Sequence, residues 1–415
     1  MPKTSHRAAL LGILGAIFVS STGFGSLLPV LPLYLRERHA SYGMVGLIVG
    51  SALIAQALGQ WPAGRLAERV GRREMMVIGL TVSAIASAAF VLPLPVEWLV
   101  VLRVVQGLGF AAAAPAELAA VGDIVAPEQL GRAYAWVSGC QMAGFIAGPA
   151  IGGLLAVFGR WAVFTTTGVA LLIAAAVVGV TLRWSVHAAT VPPIGGSLNI
   201  FGRGRTQSAL RSIAVISIGL GLLIGIYDVV WSLYMRSLNA SDPVIGLSFT
   251  LFALPFLIAT PLAGWIADRW DRRWVAIVSM VIGSLIGPFY PMLTVIPVVM
   301  LVGAAEASMW AFMGPAMNAF LMDAVHERRA EAQGIVGTAQ SAATAVGSLA
   351  GGALFGIGVG VPFYAASAAG VLFALLALPG LRALGRRAPV ADEGTEEPGR
   401  DRSEAREREG SVDAR

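Results

Sequence analysis

Apolar runs of membrane-spanning length follow one another along most of the chain, separated by short clusters of charge, proline and glycine. A transmembrane helix needs roughly 20 mostly apolar residues. Twelve such spans can be read, at about 8–35, 43–66, 75–95, 97–122, 131–157, 161–184, 211–235, 243–267, 274–294, 296–322, 331–357 and 362–384. The first follows Lys3 and Arg7 but lacks a small-residue cleavage site and runs on through Pro29-Val-Leu-Pro32, so it reads as a retained span. Two segments break the pattern. Residues 185–210 carry Pro192-Pro193, Gly195-Gly196, Arg203 and Arg205, and residues 385–415 are rich in Glu, Arg, Gly and Asp. Neither offers enough apolar surface to offset the entropy of ordering, so both read as disordered.

The pattern repeats with a period of 200 residues. Tyr34 and Arg36 recur as Tyr234 and Arg236, Gly64 as Gly264, Arg72-Arg73 as Arg272-Arg273, Pro115 as Pro315 and Asp123 as Asp323. After one deletion the offset is 199, pairing Gly148 with Gly347 and Gly152-Gly153 with Gly351-Gly352. A register held this long is a duplication. The expected architecture is an all-α membrane protein with one six-helix half at 1–184, a linker at 185–210, a second half at 211–384 and a tail at 385–415.

Charge then sets an orientation. With the N-terminus inside, nineteen Lys and Arg residues fall at inner connections and span ends, against Arg36, Arg38, Arg160 and Arg236 outside. This satisfies the positive-inside rule and places both termini, the linker and the tail in the cytoplasm of a cell-membrane protein. Parallel repeats of this kind place a binding site between the halves near the midplane.

Composition narrows the chemistry. Charged residues make up 13% of the chain and apolar ones 56%, against about 25% charged in soluble domains. The only lysine is Lys3, so no nucleotide-binding Walker loop exists. His6, His39, His187 and His326 lie outside the spans and Cys140 stands alone, which leaves no metal set and no catalytic triad. The basic balance is explained by orientation, so no nucleic-acid partner is implied.

The connection after the second span reads Gly64-Arg-Leu-Ala-Glu68-Arg69-Val-Gly71-Arg72-Arg73, and its copy reads Gly264-Trp-Ile-Ala-Asp268-Arg269-Trp-Asp271-Arg272-Arg273. The glycines permit close helix approach, and Glu68 and Asp268 are suited to accept from the free N–H groups of a neighbouring helix start. Such a contact would latch the cytoplasmic side in one state. Both copies resemble the signature loop of the major facilitator superfamily, departing at Glu68, where the family has Asp, and at Asp271, where it has Gly. Arg103-Val-Val-Gln106-Gly107-Leu-Gly109 is similar to a second motif, whose arginine the resemblance associates with proton coupling. Gly144, Gly148, Pro149, Gly152 and Gly153 resemble the antiporter motif of exporters, with Ala135 at its usual first glycine.

Three acids lie within spans: Glu117, Asp228 and Glu306. A charge inside a span is costly and marks function by default. Asp228 sits about eight residues, roughly 12 Å, from the outer end of its span, and Glu306 about ten residues, roughly 15 Å. Glu117 is about four residues from the inner end, where it lines the cavity or meets water. In the resembled fold the spans carrying these acids and Arg103 line the cavity. Asp228 and Glu306 are then expected to exchange protons against substrate with Arg103 tuning them, and Tyr227, Trp231, Trp310 and Phe312 flank the site. None of the three charges is duplicated: Arg103 stands opposite Gly303, Asp228 opposite Leu28 and Glu306 opposite Gln106.

The expectation is a monomeric, cofactor-free secondary transporter, not an enzyme, that uses a proton gradient to export a small organic or drug-like molecule. Proton-coupled uptake of a small metabolite, and a non-transporting receptor or assembly partner, are the alternatives. The first span carries no acid, which counts against a cation-recognition site there.

Overall fold

The computed structural model describes residues 3–182, 205–324 and 329–382. It contains twelve α-helices and, among the described residues, no strand. They are α1 (Lys3–Glu37), α2 (Tyr42–Val70), α3 (Arg72–Ala89), α4 (Val96–Ile124), α5 (Leu130–Leu155), α6 (Arg160–Thr181), α7 (Arg205–Ser237), α8 (Asp242–Arg269), α9 (Arg272–Ile286), α10 (Ile296–Ala324), α11 (Arg329–Ile357) and α12 (Val361–Arg382). Helix is what lipid demands, because it satisfies every backbone group within its own segment. Among the described residues, nine of the helices are long and apolar enough by composition alone to cross a bilayer, and α3 and α11 are not. The first turn of α3 is Arg72-Arg73-Glu74, and α11 opens on Arg329 and Glu331. Charges at the interface thus blunt the apolar signal of α3, which still runs with the bundle. α7 begins at Arg205, inside the expected linker; the rest of that linker and the tail lie outside the described residues.

The packing repeats as the sequence does. α1 packs on α5 and α6, α2 and α3 on α4, and α3 on α6; α7 packs on α11 and α12, α8 and α9 on α10, and α9 on α12. Fine detail is copied too. The Tyr34 hydroxyl donates to the Phe90 carbonyl at 2.5 Å, and that of Tyr234 to the Tyr290 carbonyl at 2.6 Å. His39 and Asn239 turn the chain with φ of 62° and 63°. One connection differs. Gly71 takes φ 113°, which only glycine adopts freely, whereas Asp271 has φ −66° and its side chain caps α9 by accepting from the Arg273 N–H at 3.1 Å. The departure from glycine at 271 is thus a change of turn.

Three apolar cores show how the halves meet. One is shared, joining Leu27, Val30, Leu31 and Phe90 to Val230, Tyr234, Phe355 and Phe363 at the end remote from the termini, the far face. At the terminal face each half has its own, around Ile13, Met76 and Val178 in one and Ile213, Met280 and Met317 in the other. The halves are therefore joined at the far face and parted at the terminal face. Glycines make the joint: a Cβ added at Gly46 would meet the Ser348 carbonyl at 2.5 Å, and one at Gly153 the Asp242 carbonyl at 2.5 Å. Toward the terminal face the same surfaces lie open. Leu58 and Trp61 on α2 and Ile258 on α8 are about 70% exposed (73%, 68% and 68%), and a Cβ at Gly334 or Gly337 on α11 would meet nothing within 4 Å.

Charge reinforces the far-face joint. Arg160, at the start of α6, pairs with Glu37 at 2.6 Å in its own half and with Asp242 at 3.3 Å in the other, and Arg236 shares Asp242. Of these three pairs, Arg160–Asp242 is the one that crosses between halves. Arg160→Ala should therefore weaken the far-face closure by about 1 kcal/mol, roughly a fivefold shift of population, given the partial exposure of the pair. The check is the labelling rate of a cysteine placed beneath it, which should rise by that factor; an unchanged rate would show that the glycine contacts alone set the balance.

Candidate functional site

A cavity of about 240 Å³ lies where the halves part. Tyr227, Asp228 and Trp231 of α7, Phe249, Phe252 and Phe256 of α8 and Trp310 of α10 form one side of its wall together with Leu220, Ile224, Ala253 and Gly314, with Leu28 of α1 and Met142, Phe145 and Pro149 of α5 opposite. Asp228 is the one charged side chain in that lining. It is part-exposed and makes no hydrogen bond or ion pair among the described residues. On its other side a second cavity, about 10 Å³, lies between Asp228 and Arg103 and is otherwise walled by apolar residues of α1 and α2. Arg103 is 4% exposed, so it does not reach the interface. Its Nε donates to the Ile48 carbonyl at 3.4 Å and its guanidinium to the Gln106 side chain, which in turn donates to the Ser87 hydroxyl at 2.6 Å. Arg103 and Asp228 thus oppose each other across the boundary between halves, near enough to interact electrostatically without a direct salt bridge.

Glu306 is placed differently. It is fully buried behind the cavity wall and accepts from the Tyr227 hydroxyl at 2.8 Å on Oε1 and from the Tyr290 hydroxyl at 2.6 Å on Oε2. Aromatic rings enclose the group: Tyr227 meets Trp310 edge-on at 5.4 Å, and Tyr290 meets Trp231 at 5.2 Å. Trp231 is itself fixed by donating to the Ser248 hydroxyl at 2.8 Å. The structure therefore brings Arg103, Asp228, Glu306, Tyr227, Trp231 and Trp310 together. It does not bring Glu117, which is 5% exposed, lines neither cavity and leaves Oε1 without a hydrogen-bond partner, so it is not a water-facing acid. Phe312 instead faces a groove between α8 and α9.

The whole chain matches the family model described as "Major Facilitator Superfamily", over residues 13–213 and again over 212–409. The chain belongs to the major facilitator superfamily. Among curated relatives it is 28% identical over 368 residues to Multidrug resistance protein 1 of Bacillus subtilis (strain 168), covering 86% of this chain and 92% of that one. It is 25% identical over 380 residues to Multidrug resistance protein 2 of the same organism, covering 86% and 91%. To the Quinolone resistance protein NorA of Staphylococcus aureus (strain MSSA476) it is 24% identical over 376 residues, covering 87% and 94%. A solved bacterial homolog of the human lysosomal transporter Spinster, described as inward-facing and occupied, superposes with a TM-score of 0.78 at 15% identity, over 92% of this chain and 97% of that one. The fold is thus that of a multi-pass membrane transporter.

The described residues of the signature loops have specific partners here, and in the first copy the expected latch is not among them. A Cβ at Gly64 would meet nothing within 4 Å and Glu68 is exposed, because the terminal face on which they sit is open. The surroundings of Gly264 and the side chain of Asp268 lie outside the described residues. Arg72 pairs with Asp123 at 2.6 Å and Arg73 donates to the Gly179 carbonyl at 2.6 Å, tying α3 to α4 and α6 within one half, while Arg69 is exposed. In the copy Arg273 pairs with Asp271 at 2.5 Å, and its hydrogen bonds hold that carboxyl below its ordinary pKa; Arg269 and Arg272 also have partners. The antiporter-type glycines are packing positions. A Cβ at Gly148 would sit 2.9 Å from the Gly25 Cα and one at Gly152 2.8 Å from the Ser26 Cα, with Gly144 set on the same helix, while Gly153 meets α8 and Pro149 lines the cavity. Tyr290, Ser248 and the α8 phenylalanines are site residues that sequence reasoning missed. A signal existed for the last: positions 249, 252 and 256 share one helix face.

Proposed function

We propose that this transporter exports a small organic compound with an extended apolar or aromatic body and a positive charge, in exchange for protons, across a cell membrane with its terminal face in the cytoplasm. The carrying observation is the wall of the central cavity: aromatic and aliphatic throughout, with the Asp228 carboxylate as its one charge. Such a wall suits a lipophilic cation, through burial and through ring faces that attract positive charge. A proton and that cation compete for one carboxylate, which is the elementary requirement of exchange. The relatives described as multidrug and quinolone resistance proteins support the reading. So does the excess of arginine at the terminal face, which the positive-inside rule assigns to the cytoplasm.

Purified protein in proteoliposomes with an acidic interior and ethidium as the probe tests it. Exchange should accumulate ethidium inside, by up to about tenfold per pH unit for one proton per cation, since one unit is worth about 1.4 kcal/mol. Accumulation only when the gradient is reversed would establish proton-coupled uptake instead. No movement of ethidium or any other lipophilic cation under either gradient would favour a receptor.

A further inference from the structure

Glu306 has no surface of its own. Its oxygens are each taken by a phenol, and the carboxyl lines neither cavity. Of the two phenols, Tyr290 is also fully buried, among Trp231, Tyr234 and Phe363. Tyr227 is buried among rings too, but it also belongs to the cavity wall beside Asp228, and its hydroxyl reaches Glu306. One side chain therefore touches both compartments.

We propose that the Tyr227 hydroxyl is the proton path between the central cavity and the sealed Glu306 carboxyl. This rests on the reading that Glu306 exchanges a proton during transport. In the charging direction the phenol gives its proton to Oε1 while its oxygen takes one from a hydrated proton in the cavity: one O–H bond breaks on Tyr227, one forms on Glu306 and one is restored on Tyr227. Discharge is the same exchange reversed, with cavity water as acceptor. No net charge remains on the phenol in either direction. The 2.8 Å separation is within the reach that proton transfer through a hydrogen bond requires. Tyr290 has the complementary task of holding Oε2, and with it the plane of the carboxyl, so it is a positioning residue rather than a conductor. The charged groups facing the path are Asp228, next in the chain, and Arg103 beyond it.

The test needs no substrate. Infrared difference spectroscopy of the purified protein after a pH jump follows the carboxyl stretch, and the band absent from Glu306→Gln is that of Glu306. Tyr227→Phe, which keeps the ring and the cavity wall, should slow the response of that band at least about tenfold; Tyr290→Phe, which likewise removes one phenol donor and so moves the midpoint in the same direction, should leave the rate within about twofold. A wild-type rate in Tyr227→Phe, with the band present, overturns the path and leaves the role of Glu306 standing. Absence of any pH-responsive band lost in Glu306→Gln overturns both. Equal slowing in the two tyrosine variants would also overturn the path, because it would show a general loosening of the site.

Discussion

Asp228→Asn should reduce gradient-driven accumulation of a lipophilic cation in proteoliposomes from roughly tenfold per pH unit to no accumulation at all. Asparagine has nearly the shape of aspartate, so the cavity keeps its volume and its aromatic wall; only the exchangeable charge is lost. Glu306→Gln should do the same by a different route. It removes a carboxylate whose two phenol donors are each worth about 1.5–3 kcal/mol as hydrogen bonds to a charged group, yet leaves an amide oxygen that still accepts from one of them. Counterflow, in which labelled cation exchanges for unlabelled with no net proton movement, should persist in both variants and separates uncoupling from misfolding. Undiminished accumulation in both would remove the carboxylates from the coupling mechanism.

Gly352→Leu should hold the protein in the state not seen here and lower turnover by one to two orders of magnitude. A Cβ at 352 would stand 2.8 Å from the Gly46 nitrogen and 2.9 Å from its Cα, and backbone cannot move aside as a flexible side chain can. Overpacking of this kind costs about 1–3 kcal/mol, which displaces a two-state balance by up to about a hundredfold. Gly337→Leu has open space in this state and should act in the opposite sense, obstructing closure of the terminal face. A reporter separates the two. Ser232, buried where α7 donates to the Leu28 carbonyl of α1 at 3.2 Å, can be replaced by cysteine in a Cys140→Ser background. From the far face an impermeant maleimide should label it readily with Gly352→Leu and scarcely with Gly337→Leu. Equal protection in both would mean that these glycines do not set the state.

Much of this was legible in the chain because lipid makes the rules strict. Helices were readable because an unbroken apolar run of about 20 residues satisfies its backbone in lipid by bonding within itself, and the duplication because Tyr34 and Tyr234 keep the same task 200 residues apart. Asp228, Glu306 and Arg103 stood out because a charge in a span is costly. Glu117 stood out for the same reason and lies elsewhere, since cost alone does not say which way a side chain faces. The α8 phenylalanines were invisible for the converse reason: an apolar face toward a cavity and one toward lipid are written in the same residues. Tyr290 hid behind its own repeat partner, Phe90, which has the ring without the hydroxyl. The latch around Glu68 could not be placed because one sequence encodes both arrangements of the halves, and a contact made in only one of them leaves no mark of which.

The central cavity is also unequally owned. Eleven of its fifteen wall residues belong to α7, α8 and α10, and only Leu28, Met142, Phe145 and Pro149 to the other half. When the halves rock, a passenger travels with the second half and exchanges only those four contacts. A conformational step can change affinity only through interactions that differ between its end states, and four apolar contacts amount to on the order of 2–4 kcal/mol. That is the ceiling on what rocking alone can loosen, beyond what protonation of Asp228 takes from the charge of the cation. Ligands that draw most of their affinity from the α7–α8–α10 wall would remain seated in both states and act as plugs, so that the strongest binders of this cavity should be inhibitors and its best cargo should bind weakly.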